Sequence, residues 1–235
     1  MTKLNYRSDV TVQVFRVSAM DYDVTAAARV STIGGDSLDA DRPAEPLIHY
    51  LMRDRHGSPF EHTSFTFYVE APIFVAREFM RHRAGWSYNE ESGRYKELAP
   101  TFYVPDRERA LIQEGKPGAY EFQQGSDAHF ALMAAEMTYG YREAYEAYEE
   151  MLKHGIAREV ARMVLPVGIY TSFYATCNAR SLMHFLSLRT KGEASTFPSF
   201  PQREIEMVAE KMEQYFAKHM TITHAAFEKH GRVAP

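Results

Sequence analysis

The chain is poor in cysteine, in excess positive charge and in long apolar runs, and each shortage removes a class of function. One cysteine, Cys177, among 235 residues closes no intrachain disulfide and builds no cysteine zinc cage. Lys and Arg number 27 against 31 Asp and Glu, a formal charge of −4. That is the wrong sign for generic polyanion binding. No apolar stretch approaches the ~20 residues of a membrane span, and the opening MTKLNYRSDV lacks the apolar centre of a secretory leader. A cytoplasmic protein follows as the expectation, with neither membrane nor nucleic acid as partner. Hydrophobic residues make up 45% and charged residues 25%, the ordinary globular mixture. A chain of this length can bury its own core without metal or cross-links. The 15 Tyr and 15 Phe serve that core and can also stack on planar rings.

Period-two alternation predicts strands over residues 10–17, 63–69, 101–104 and 169–176. Helical spacing predicts helices over 21–30, 45–55, from Pro72 to about 82, from 127 to a stop at Gly155, and over 158–165, 179–188, 204–218 and 225–229. In the long helix, Tyr141, Tyr145, Tyr148 and Leu152 mark one buried face. Gly, Ser, Pro and Gln content predicts loops over 31–42, 84–93 and 114–125, and around Pro198 and Pro201. There is no internal repeat and no linker. The expectation is one domain over 1–235, α+β and helix-rich, with a small, mostly antiparallel sheet.

Three clusters can carry chemistry. Residues 81–95 read Arg-His-Arg-Ala-Gly-Trp-Ser-Tyr-Asn-Glu-Glu-Ser-Gly-Arg-Tyr. Arg81 to Arg83 alone suit a helix C-terminus. Asn89 to Arg94, however, offer hydroxyl, amide, carboxylate and guanidinium beside Gly93, a set that suits a phosphate. Arg158 and Arg162 lie four apart on one helical face, and Arg162 sits among apolar neighbours as either a buried ion pair or an anion ligand. Arg180, His184 and Leu188 share a face, with Arg189 at the end of that helix. There the bland alternatives are a satisfied core histidine and dipole compensation. His56 and His62 flank Pro59 without the i, i+4 spacing of a helical zinc pair, so no metal is expected. Cys177 has apolar neighbours and no evident base, which fits a buried thiol rather than a nucleophile.

Arg81-His82-Arg83, eight residues and then Ser92, resembles the signature of the flavin-dependent thymidylate synthases. Ala27-Ala28-Arg29-Val30-Ser31, His56 with Ser58-Pro59-Phe60-Glu61-His62, Ala71 to Arg77, Ser87-Tyr88-Asn89-Glu90, Arg158 to Arg162 and Asn178 to Leu182 look like family segments in family order. The resemblance implies a homotetramer whose active sites are shared between subunits. It also implies bound FAD, NADPH as reductant, 5,10-methylenetetrahydrofolate as one-carbon donor, and conversion of dUMP to dTMP.

Carried over by position, the resemblance places Ser58, Arg81, His82, Arg83, Glu90, Asn178, Ala179, Arg180 and His184 at the FAD. It places Glu78, Phe79, Met80, Arg81, Glu90 and Glu91 along dUMP, with Ser92, Gly93, Arg94 and Arg162 at its phosphate. Arg189 would face the uracil as the catalytic cation, and His56 would stand near the flavin and the folate pocket. A guanidinium at the uracil edge is what a ring gaining negative charge requires. Two rivals remain on the residues alone. One is a nucleic-acid module, from basic residues interleaved with Trp86, Tyr88 and Tyr95. The other is a flavoprotein without methyl transfer, in which the phosphate loop and Arg189 would have no task.

Overall fold

The computed structural model describes residues 2–39, 42–116 and 119–235. Among these, eight strands and eight α-helices form two compact units, the first of Met1–Val10, Glu70–Phe79 and Glu90–Phe173, the second of Thr11–Val69, Met80–Asn89 and Tyr174–Pro235.

The first unit is organised by a long helix, α4 (Asp127–Lys153). Ser126 caps it, its Oγ accepting the N–H of His129 at 3.2 Å, a contact worth about 1 kcal/mol. Tyr141, Tyr145 and Tyr148 recur on one face and are buried with Leu98, Phe102, Ala161 and Ile169. The Phe102 ring stacks on Tyr141 at 4.7 Å. The Tyr145 hydroxyl donates to the Leu98 carbonyl at 2.9 Å, and the Leu98 N–H donates to the Tyr148 hydroxyl at 3.3 Å. Leu98 is therefore fixed by backbone bonds to two tyrosines. Strand β1 (Asn5–Arg7) runs parallel to β5 (Thr101–Tyr103), pairing Tyr6 with Phe102. Helix α3 (Ile73–Phe79) and the short α5 (Arg158–Ala161), continued as a 3₁₀ turn over Arg162–Val164, border this core.

The second unit holds most of a four-stranded sheet with order β2-β3-β8-β4: β2 (Thr11–Ser18), β3 (Ser64–Pro72), β8 (Tyr170–Cys177) and β4 (Trp86–Glu90). Its helices are α1 (Asp21–Ile33), α2 (Glu45–Arg53), α6 (Ala179–Arg189), α7 (Arg203–His219) and α8 (Thr221–Lys229). Phe65 and Phe67 point to one face of β3, with rings 5.9 Å apart, as the period of two requires. Phe216 of α7 meets Phe65 edge-on at 6.1 Å. Ile205, Val208, Ala209, Met212 and Phe216 form the buried stripe of α7. Each such large side chain contributes about 1.5–3 kcal/mol.

Several segments differ from the sequence expectation. Helix α3 ends at Phe79 rather than near residue 82, and α8 begins at Thr221 rather than at 225. Residues 31–33 continue α1, and Gly34–Asp39 form a 3₁₀ turn. Ser31 and Thr32 are tolerated in the helix because their hydroxyls donate to the carbonyls of Ala28 and Arg29, each at 3.0 Å. Ala40 and Asp41, in the same expected loop, lie outside the described residues. Residues 86–90, expected as loop, are β4. Trp86 and Tyr88 stack at 5.9 Å on one face while Ser87 and Asn89 occupy the other. The expected loop at 114–125 is largely an antiparallel hairpin of β6 (Ile112–Lys116) and β7 (Ala119–Gln123), with Pro117 and Gly118 outside the described residues. The α+β class, the excess of helix over strand and the small sheets agree with expectation, the parallel β1–β5 pair apart. No described helix is long and apolar enough to cross a membrane.

Candidate active site

In the first unit a cavity of about 330 Å³ takes in two of the four residues proposed for the phosphate, Gly93 and Arg162, while Ser92 and Arg94 flank Gly93 in the chain without lining it. Glu90, Glu91, Gly93 and Arg162 all line it. Ser92 opens a tight turn: its carbonyl accepts the N–H groups of Tyr95 (3.0 Å) and Lys96 (3.2 Å), and its Oγ accepts that of Arg94 (3.2 Å). Gly93 follows. A Cβ there would come within 3.1 Å of both Arg162 Cδ and Leu98 Cδ1, so any larger residue would have to push the Arg162 or Leu98 side chain aside. Arg162 makes no ion pair among the described residues. Arg94 Nε pairs with Glu159 at 3.0 Å, and Lys96 with Glu91 at 2.7 Å.

Two polar residues of this cavity were not found from sequence. Thr171, buried in β8, donates from Oγ1 to Glu90 Oε1 at 2.7 Å and holds that carboxylate. No local pattern marks a threonine in an apolar strand. Glu159 also lines the cavity, and its i, i+3 relation to Arg162 was the available signal. Glu78 and Phe79 belong to α3, where the Phe79 ring is fully buried against Phe173 at 5.3 Å. Met80 follows the helix and is half-buried.

In the second unit the two segments proposed for FAD, a hundred positions apart in sequence, are tied together. Asn178 caps α6, its Oδ1 accepting the Ser181 N–H at 2.8 Å, and the Ala179 N–H donates to Thr63 Oγ1 at 2.9 Å. Ser181 Oγ then donates to the carbonyl of Ala84 at 2.9 Å, just past Arg83. Gly85 completes this junction with φ +70°, and a Cβ there would lie 2.1 Å from Ser181 Oγ. Arg81 and Arg83 are exposed on either side of buried His82. Arg180 pairs with Glu61 at 2.5 Å and donates to the Pro235 carbonyl at 2.6 Å. Gly57, beside exposed Ser58, leaves room for that guanidinium, since a Cβ would meet it at 2.5 Å. His56 is exposed and stacks on Tyr50 at 5.5 Å; His184 is exposed, 6.3 Å from the His82 ring.

His82 has the most perturbed environment of this group. It is 8% exposed, the edge of Phe185 lies 4.9 Å away, and its carbonyl accepts the Tyr88 hydroxyl at 2.6 Å. Arg189 Nε donates to His82 Nε2 at 3.1 Å, so Nε2 carries the lone pair. Burial, then the charge of Arg189, then His184 and Arg81 hold the imidazole pKa down at about 4. The imidazole is therefore neutral at pH 7. It orients Arg189 and adds no charge of its own. Cys177 is fully buried and its thiol is pushed well above the ordinary value by that burial, so it offers no thiolate.

Comparison with known proteins settles the family. The family described as thymidylate synthase complementing protein matches residues 10–220. The chain belongs to the flavin-dependent thymidylate synthase family. The flavin-dependent thymidylate synthase of Streptomyces avermitilis is 63% identical, over 99% of this chain and 96% of that protein. That of Tropheryma whipplei is 53% identical, over 98% and 97%. Among solved structures, a UMP/dUMP methylase from Streptomyces cacaoi bound with 5-Br dUMP superposes with a TM-score of 0.94 at 54% identity, over 99% of this chain and all of that one. The same methylase bound with 5-Br UMP gives a TM-score of 0.92 at 53% identity. As a member of that family the chain is a flavin-dependent methyltransferase.

Proposed function

We propose that the chain converts dUMP to dTMP, using FAD, NADPH as reductant and the methylene of 5,10-methylenetetrahydrofolate. The observation that carries this is the cavity of the first unit, where Arg162 packs closely against Gly93 beside the Ser92 turn. That assembly offers a guanidinium, a hydroxyl and a second arginine, Arg94, to a phosphate. The names of the relatives agree, thymidylate synthases in sequence and a UMP/dUMP methylase in structure.

The second unit fits FAD. Exposed Arg81 and Arg83, and Arg180 on the first turn of a capped helix, suit a pyrophosphate. The glycine at 85 allows the close junction beside them. Ser58, Asn178, Ala179 and His184, with Glu90, are the further residues we assign to the cofactor. When bound, the flavin supplies the reducing equivalents. The protein's part is electrostatic. Arg189, oriented by neutral His82, stabilises negative charge on the uracil ring as it develops. Glu78, Phe79, Met80 and Glu91 border the nucleotide, and His56 the folate side. No cysteine attacks the ring, because the thiol of Cys177 stays protonated and buried.

Residues 1–235 act as one domain in a cytoplasmic homotetramer with shared sites, working on free nucleotides. Phe15, 64% exposed, meets Tyr174 edge-on at 5.1 Å, and Met163 is 77% exposed. Such apolar surface suits burial between subunits. The deciding experiment supplies FAD, NADPH, the folate and labelled dUMP to the purified chain and follows dTMP. Flavin bleaching by NADPH without dTMP formation would make it a simple flavin reductase. Because the structural relative bound with 5-Br UMP is named for both nucleotides, UMP is assayed beside dUMP. Arg189→Ala is expected to lower dTMP formation about a hundred- to a thousandfold while flavin reduction persists.

A further inference from the structure

Arg94, the guanidinium nearest the Ser92 turn, already has a carboxylate partner. Glu159 Oε2 lies 3.0 Å from its Nε, on the lining of the same cavity. A second link, Arg158 to Glu97 at 3.6 Å, joins the same short helix to the same turn. Three carboxylates, those of Glu90, Glu91 and Glu159, line the cavity, and three cations, Arg94, Lys96 and Arg162, stand in or beside it. The region is thus charge-balanced without any guest. Arg94 and Glu159 are each 54% exposed, so their pairing is weak, at most a few-fold in equilibrium terms. A phosphate dianion that engages Arg94 and Arg162 together replaces that single carboxylate readily. It leaves Glu159 displaced but still at the rim.

We propose that Glu159 is a displaceable carboxylate that holds the place of the phosphate at Arg94 and, once displaced, repels further negative charge, so that the pocket selects a nucleoside monophosphate over di- and triphosphates. The proposal rests on the assignment of this cavity to dUMP. The second phosphate of a diphosphate would extend beyond the Ser92 turn, towards the carboxylate that the first has set free. Of the cations flanking that turn, Lys96 is held by Glu91 and Arg158 by Glu97. Like charges in such contact at a half-exposed site cost roughly tenfold or more in affinity.

The test is calorimetric titration of dUMP and dUDP into the flavin-loaded protein and into Glu159→Gln, Glu159→Asp and Arg162→Met. With Glu159→Gln, dUMP is expected to bind up to about fivefold tighter, since no ion pair has to be broken. The preference for dUMP over dUDP is expected to fall about tenfold. Glu159→Asp keeps the charge and the preference. A merely structural Glu159 would shift the melting temperature and leave the preference intact, which overturns the proposal. Weaker dUMP binding in Glu159→Gln also overturns it, because Glu159 would then be aligning Arg94 for the phosphate. If Arg162→Met binds dUMP as the parent does, the assignment of the cavity itself falls, and the selectivity proposal with it.

Discussion

The burial of His82, reinforced by the charge of Arg189 beside it, makes the stability of the protein depend on pH in a window set by one imidazole. In the folded chain burial, Arg189, His184 and Arg81 hold His82 near a pKa of about 4, whereas in the unfolded chain it titrates at its ordinary value of about 6.5. Between those values the unfolded state binds the proton and the folded state does not, so stability rises with pH across the window and is lost as pH falls from about 6.5 to about 4. A difference of roughly two and a half pKa units corresponds to about 3 kcal/mol, a sizeable share of a typical domain's total stability. Arg189→Met removes the nearby charge. The His82 pKa should rise towards its ordinary value, and the acid loss of stability should shrink. Urea unfolding at pH 7, 5.5 and 4.5 measures the slope, and the His82 ring proton followed by NMR measures the pKa directly. The comparison between parent and variant isolates this group from Glu213, whose carboxyl is held below its ordinary value by His224 and Arg232 against the opposing effect of burial, and which loses its stabilisation at lower pH. An unchanged slope together with an unchanged His82 titration would refute the electrostatic account of this contact.

Cys177→Ala is expected to keep dTMP formation and to cost about 1 kcal/mol of stability; a folded, flavin-binding variant without turnover would make the thiol essential after all. Arg94→Lys keeps the charge but loses the planar fork, so dUMP binding should weaken by about 1–3 kcal/mol. Flavin binding should hold, because the contacts of Arg94 are with Glu159 and Tyr95, and an equal loss of both ligands in parallel titrations would mark Arg94 as structural. Arg232, 5% exposed, joins Glu213 at 2.7 Å, Glu228 and Thr190 Oγ1 at 2.5 Å. Arg232→Met should cost about 3–5 kcal/mol in denaturant unfolding, as breaking a buried ion pair does, and a loss under 1 kcal/mol would mean that these carboxylates relax into solvent.

What the sequence made legible was decided by whether a signal was local. The tyrosine stripe of α4 and the alternation of β3 are periodic over many residues, and the structure has both. The 84–93 segment misled because its polar residues outnumber its aromatic ones. Its alternation, Trp86 and Tyr88 against Ser87 and Asn89, was nevertheless present and is what makes β4. The cationic residues of the site were legible as residue types, since Arg in an apolar setting or beside glycine demands an explanation. Their partners were not. His82 meets Arg189 across 107 positions and Glu90 meets Thr171 across 81, and no spacing rule reaches that far.

Those distant partners decide the chemistry that the residue types leave open. An arginine at the end of a helix is consistent with simple dipole compensation. The same arginine bonded to an imidazole held neutral by burial is a charge with a fixed orientation. Building such a charge costs the protein a histidine that must stay unprotonated in the interior, a cost that dipole compensation alone would not require. The acid-labile stability described above is the thermodynamic trace of that arrangement. If stability and turnover respond together when His82 is replaced by a residue that packs but cannot accept the bond, the imidazole is there for Arg189. If stability alone responds, it is there for the core.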